Sequence, residues 1–333
     1  MAAHSKTSGP GRRSIVLGTV FAALQWGKAF ALTDYPSRPI RFVIGFPPGT
    51  GTDTWARLVA LKLSSAVNQP VIVDNKPGAH GQIACSTVKT ADKDGYTLLY
   101  AAGGTMAINP SLYGKRLAYD TLKDFDPVIG IERSTIYLAV NKSLPVTNLK
   151  EMIAYVKARP GITNFGSAGN GTTSHLAMEM LKRATGMDMT HVPYKGGGAV
   201  LQDLMGGQIQ FAFDAAAVMV PQHVAGSVRL IGVANPTRLK ITPGIPTIAE
   251  QGVPNFDAPV WSGLFAPAGT PPAVISKLNE TLNNEMAAGA FDGLLNSIGA
   301  ERTGGTSDSF RKFVAYEIAR WAPVVKAFGI LPE

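Results

Sequence analysis

The sequence predicts an α/β protein of two domains, with parallel-rich sheets flanked by helices. Three observations carry that expectation. Past residue 35, short β-branched runs alternate with helical patterns along nearly the whole chain. The 36 glycines and 23 prolines cluster between these periodic segments. At 333 residues, 45% of them hydrophobic, the chain outgrows a single core, so two domains of roughly 100–200 residues are expected.

Taken in order, strands are expected at 40–45 and 71–74, around a helix at 52–67. A helix at 82–90 precedes a strand at 97–101. Strands at 136–140, 162–165 and 210–213 then alternate with helices at 149–158 and 174–185. A strand at 228–234 and helices at 272–287 and 307–327 complete the chain. Such alternation favours sheets covered by helices on both faces. Two extended apolar stretches flanked by prolines, 124–132 (DFDPVIGIE) and 255–267 (NFDAPVWSGLFAP), read either as crossings between lobes or as ordinary strands. If they are crossings, residues 32–130 and 257–333 form one lobe and 131–256 the other.

Four of the eight net positive charges fall in residues 1–31, as Lys6, Arg12, Arg13 and Lys28 without any acid. Arg12 and Arg13 precede an apolar run at 14–24, and Ala29-Phe30-Ala31 supplies small residues where a signal peptidase reads. Basic, apolar, then small-x-small is the layout of an export signal, with the paired arginines leaving Sec and twin-arginine routes both open. The run is far shorter than the roughly 20 residues of a membrane span. Elsewhere Lys and Arg are scattered among acids without a basic stripe, which excludes a nucleic-acid footprint. Cys85 is the single cysteine, so no intrachain disulfide forms, and its apolar surroundings predict burial. A core of this size does not need a disulfide.

Phe46-Pro47-Pro48-Gly49-Thr50-Gly51-Thr52-Asp53 lies between the first strand and the first helix. Glycines let backbone N–H groups approach a ligand, and a helix start adds unpaired amides and positive potential, which together suit an anion. Asp53 is either a first-turn acid favourable to the helix dipole or an acceptor for a ligand hydroxyl or amine. No Gly-Lys-Ser/Thr follows, and the glycine spacing is not that of a dinucleotide fingerprint. A second loop of the same kind, Gly166-Ser167-Ala168-Gly169-Asn170-Gly171-Thr172-Thr173-Ser174-His175, also follows a strand and opens a helix. Its four polar side chains from Thr172 to His175 exceed what one cap requires. Two such loops read as jaws on one ligand, placed outside the carboxyl ends of their strands as in open α/β sheets.

Burying a carboxylate costs several kcal/mol, and a hydrogen bond to a charged group returns roughly 1.5–3 kcal/mol, so three to five donors suffice without arginine. Farther on, Tyr194 is a candidate for the pocket wall, and Lys195 is either added charge or a solvated loop residue. Asp214 is a helix cap, a ligand contact or a hinge anchor. The five histidines show no HExxH or Cys–His spacing, His80 reads as a turn residue, and no G-x-S-x-G elbow is present. No metal site or cofactor is expected.

These segments resemble the Bug-type (Bordetella uptake gene) solute-binding receptors of tripartite tricarboxylate transporters, over about 35–329. The markers are Tyr35-Pro36-Ser37-Arg38-Pro39-Ile40, Pro47-Pro48-Gly49-Thr50-Gly51-Thr52-Asp53, Val73-Asp74-Asn75-Lys76-Pro77-Gly78-Ala79 and Asp94-Gly95-Tyr96-Thr97-Leu98-Leu99. Asp124-Phe125-Asp126-Pro127-Val128, Val192-Pro193-Tyr194-Lys195-Gly196, 211–214 and Pro243-Gly244-Ile245-Pro246-Thr247 continue the series. Thr50 departs from the family, which more often has glycine there. The resemblance implies a two-lobe, type II Venus-flytrap fold, a periplasmic location, a small carboxylate ligand and delivery to the transporter's membrane components. It also implies binding through backbone amides, hydroxyls and water by Gly49, Thr50, Gly51, Thr52 and Asp53. From the other lobe come Ser167, Ala168, Gly169, Thr172, Thr173, His175, Tyr194 and Asp214. A monomer is expected. The competing readings are an exported hydrolase using Asp53, His175 or Asp214, and a sensory module for a membrane kinase.

Overall fold

A computed structural model describes residues 1–4 and 35–329, and the basic, apolar and small-residue parts of the predicted export signal lie outside them. In chain order the elements are β1 (Ile40–Ile44), α1 (Gly51–Val67), β2 (Val71–Asn75), α2 (Gln82–Lys89), β3 (Thr97–Ala102), α3 (Asn109–Tyr113) and β4 (Phe125–Ser134). They continue with β5 (Ile136–Asn141), α4 (Leu149–Lys157), β6 (Asn164–Ser167), α5 (Thr173–Thr185), β7 (Thr190–Pro193), α6 (Gly197–Gly206), β8 (Phe211–Ala215), α7 (Ala216–Val224) and β9 (Val228–Val233). The last are β10 (Val260–Pro267), α8 (Pro272–Ala287), α9 (Asp292–Ile298), β11 (Glu301–Gly304) and α10 (Ser307–Phe328).

Two sheets organise these elements. One has the order β11-β4-β10-β3-β1-β2, the other β7-β6-β8-β5-β9. In the first, β1 runs parallel to β2 and β3, while β10 is antiparallel to β3 and β4, and β11 to β4. In the second, β6 runs parallel to β7 and β8, while β5 is antiparallel to β8 and β9. The α/β class is as expected, but the sheets are mixed. Each has a parallel trio around one central strand, β1 or β6, continued by antiparallel strands.

Burial follows from this layering. β1 buries every residue except Arg41, and β10 every residue except Val260, as in strands covered on both faces. The largest fully buried side chains, Trp261, Trp321, Tyr100 and Tyr137, come from strands of both sheets and from α10. Cys85 is fully buried, which pushes its thiol up to about 12 and leaves it inert at neutral pH. The 124–132 and 255–267 stretches supply most of β4 and the whole of β10, antiparallel neighbours in the first sheet. β4 passes into β5 of the second sheet with only Thr135 between them. Among the described residues no helix is long and apolar enough to cross a membrane.

Candidate functional site

The central strands of the two parallel trios each run into a helix start of one design. Thr50 caps α1 with φ −75° and ψ 162°, and Thr172 caps α5 with φ −71° and ψ 161°. In both, the cap hydroxyl accepts from the amide three residues on, Asp53 or His175, at 3.4 Å. It also donates back to the carbonyl three residues earlier, Pro47 at 2.9 Å and Gly169 at 2.7 Å. The third helical residue then reaches back. Asp53 Oδ2 accepts from Gly49 N at 2.9 Å, and His175 Nδ1 accepts from Gly171 N at 3.0 Å. This is a capping box shifted by one residue, with histidine serving as the acceptor in the second copy. The first two helical amides of each helix, Gly51 and Thr52 in α1 and Thr173 and Ser174 in α5, make no hydrogen bond among the described residues. These four donors stand at positive helix ends, a setting that favours an anion.

The two reaching side chains are held in the protonation states this geometry needs. Asp53 is 3% exposed; burial raises its pKa, but hydrogen bonds from Arg57, Asn75 and the Gly49 amide outweigh that and hold it below the usual carboxylate range. Arg57 Nε donates to Oδ2 at 2.9 Å and Asn75 Nδ2 to Oδ1 at 2.9 Å, so both carboxylate oxygens are engaged. Asn75 also donates to the Phe46 carbonyl, which fastens the loop to β2. Arg57 lies one helical turn from Asp53, the spacing at which side chains on a helix meet.

His175 is pushed down to about 3, first by burial and then by His191 and Lys182. It is therefore neutral, with Nδ1 as acceptor, and its 4.0 Å approach to Glu179 is not an ion pair at neutral pH. His191 stacks on it at 3.7 Å and is itself pushed down to about 4 by burial, then by Lys182. Ser167 Oγ lies 2.6 Å from His191 Nε2. The pair has nucleophile–base spacing, yet Ser167 is fully buried and bonded to both the amide and the carbonyl of Gly169, so it braces the loop.

Of the remaining predicted residues, Ala168, Gly169 and Tyr194 border the second helix start, whereas Asp214 faces the start of α6. The Ala168 amide donates to Ser174 Oγ. Gly169 adopts φ +131°, a backbone state that only glycine holds comfortably. The Tyr194 hydroxyl donates to Asp203 of α6 at 2.6 Å, and its ring covers Gly166. Asp214 does not cap α7. Its Oδ1 accepts from Ala215 N, while Oδ2, buried and without a hydrogen-bond partner among the described residues, faces Gly197 at the start of α6. Burial pushes Asp214 up to about 6.

A segment with the sequence of a simple turn packs on the first sheet and touches the loop that opens α5. Residues 78–81, after β2, pack on the end of β1 so closely that a Cβ on Gly45 would lie 2.5 Å from Gly81 Cα. Gly45→Ala is therefore expected to destabilise the fold by about 1–3 kcal/mol, read from the urea midpoint, because no flexible side chain can yield there. His80 of this turn lies against Gly169, and Leu112 of α3 packs directly on Gly171. A cavity of about 460 Å³ exists elsewhere, among Met180, Arg183, Val253, Phe256, Pro323 and Phe328. It is mostly apolar and holds none of the free amides.

The chain has clear relatives among known proteins. The family model described as "Tripartite tricarboxylate transporter family receptor" matches residues 55–330. The chain is similar to R. palustris Rpa4515 solved with adipate, at 38% identity and TM-score 0.84, covering 90% of this chain and all of that one. It is similar to MatC from Rhodopseudomonas palustris with bound malate, at 33% identity and TM-score 0.80, covering 87% of this chain and all of that one. The periplasmic binding protein BugD matches at 30% identity and TM-score 0.81, over 90% of this chain and all of that one.

Proposed function

Because the chain belongs to the tripartite tricarboxylate transporter receptor family, we propose that the free amides of α1 and α5 grip one carboxylate of a small organic acid between two lobes. The chain is a solute-binding receptor and not an enzyme. The observation that carries the proposal is the duplicated helix start, with the Gly51, Thr52, Thr173 and Ser174 amides unused by the fold. Four such bonds return about 6–12 kcal/mol, enough to offset the several kcal/mol of burying a carboxylate. Gly49, Thr50, Asp53, Ser167, Ala168, Gly169, Thr172 and His175 shape these starts, with Tyr194 and Asp214 behind the second.

The lobes divide at the notional crossings, with 32–130 and 257–333 in one and 131–256 in the other. Support comes from the sheets: apart from the last four residues of β4, strands of the first lie within 32–130 and 257–333, and those of the second within 131–256. The segment 1–31 directs export to the periplasm, where the monomer hands its ligand to the membrane components of the transporter. The two neighbours solved with adipate and malate, both dicarboxylates, favour a diacid here.

A thermal-shift screen of mono-, di- and tricarboxylates tests this. A ligand at one hundred times its Kd stabilises by about 2.7 kcal/mol, so the melting point rises by several degrees. The acid should be recovered unchanged. Conversion of the acid would favour the hydrolase, and a panel without any shift would overturn the carboxylate assignment.

A further inference from the structure

We propose that His80 is a ligand-reading residue, an imidazole carried by the first sheet's half of the site and held across the gap against the second jaw. The inference rests on the carboxylate-receptor reading and deepens it. In sequence His80 has the setting of a turn residue, and the turn is of an unusual kind. Four successive residues have left-handed φ: Gly78 at +130°, Ala79 at +46°, His80 at +53° and Gly81 at +85°. Two of them carry side chains, and a non-glycine residue there is held only by surroundings that over-determine it.

Those surroundings are visible. The His80 carbonyl accepts from Thr105 Oγ1 at 3.2 Å and from Asn109 Nδ2 at 3.0 Å, and Asn109 is fully buried. The Gly81 amide closes the turn onto the Gly78 carbonyl at 2.9 Å. Gly81 itself lies tight against both Thr105 and Gly45. The backbone is thus bolted to β1 and to the segment after β3, while the side chain leaves toward the second sheet. There Nε2 lies 3.6 Å from where a Cβ on Gly169 would sit, and the ring lies 6.5 Å from that of Tyr113.

Gly169 belongs to the loop that ends in the free Thr173 and Ser174 amides. An imidazole beside it forms a wall of the same site and offers a ring N–H to the carboxylate held there. It is a side-chain donor among backbone donors. Backbone amides take any carboxylate, so a ring on one wall is what can discriminate among acids by shape. The strain in the turn is then the means of aiming that ring.

The test separates aim from fold. His80→Gly keeps the left-handed turn and removes the ring, while His80→Asn keeps a residue tolerant of this backbone and restores a shorter donor. Titration calorimetry would use the acid giving the largest thermal shift with the wild type, drawn from malate, succinate, adipate and benzoate. His80→Gly should melt at or above the wild-type temperature yet bind about 10- to 100-fold more weakly, as expected for one lost hydrogen bond to a charged group. His80→Asn should recover part of that loss and change the ranking of the acids. Wild-type affinity and ranking in His80→Gly would overturn this proposal alone. A wild type that binds none of the acids would overturn it together with the receptor reading.

Discussion

Gly51→Pro should weaken carboxylate binding by about 10- to 150-fold while leaving the melting point unchanged or slightly raised. The residue is the first of α1 and its amide makes no hydrogen bond among the described residues. Proline at that position removes one donor and nothing else the fold uses, since its ring suits a first helical turn. The preceding Thr50, at φ −75° and ψ 162°, already has the extended backbone that a following proline demands. No atom lies within 4 Å of where a Cβ on Gly51 would sit, so the ring meets no wall. The loss corresponds to one bond to a charged group, about 1.5–3 kcal/mol. Stability should gain a few tenths to about 1 kcal/mol, because proline narrows the unfolded ensemble. Thr173→Pro is the same experiment on α5, where Thr172 at ψ 161° meets the same condition. If both helices hold one carboxylate, the two substitutions act on a shared guest and their effects should not add. Unchanged affinity in both variants, measured by titration calorimetry, would mean that recognition does not run through these amides.

Both jaws are legible in the amino-acid sequence because the signature that makes them is local. A β-branched strand, glycines, then Thr followed three residues later by a polar acceptor is contained in one short stretch, and both copies carry it. The signature leaves open the direction in which Asp53 and His175 point. Each turns back to the amide four residues earlier, which ties it to shaping the loop, and for His175 this also fixes the neutral tautomer. Arg57 is readable as a partner of Asp53 by helical spacing. Asn75, 22 residues away, is not.

The His80 turn is hidden from sequence because its determinants are distant. Its left-handed backbone is imposed by Gly45, Thr105 and Asn109, which meet it only after β1 and β3 have paired. Alternating hydrophobicity likewise announces that a strand exists but carries no information on its direction. Strand–helix alternation points to parallel pairing, so the antiparallel halves of both sheets lie beyond its reach. Short elements rich in breakers, such as α3 with Pro110 after Gly103-Gly104, look like loops in sequence. Packing of Leu112 within α3, and of Met106 and Ile108 just before it, into the core makes such segments helical.

The second large effect lies at the strands through which the chain passes between the sheets. Glu132 of β4 is 3% exposed; Ser262 Oγ of β10 donates to its Oε1 at 3.0 Å and lies 2.7 Å from the Tyr100 hydroxyl. Its Oε2 is buried with no hydrogen-bond partner among the described residues. Burial pushes this carboxyl up to about 7, against a smaller lowering by the hydrogen bond from Ser262. Because the folded pKa is raised above the unfolded one, near 4.3, the stabilising form is the protonated one. Its contribution is complete below about pH 4 and is lost as pH rises through 7, a change on the order of 3 kcal/mol.

Glu132→Gln should therefore flatten the stability profile between about pH 4.5 and 8. The neutral amide retains the acceptor for Ser262 but leaves its own N–H groups without partners, which costs about 1–3 kcal/mol. The two effects oppose each other. Near pH 5 the variant should be the less stable protein, and near pH 8 it should equal or exceed the wild type. Urea midpoints taken across that range decide the matter by whether the two curves converge and cross. Parallel curves would mean that Glu132 does not titrate between them, and that the strand passage reaches water which the packing of Tyr100, Ser262 and Trp261 otherwise excludes.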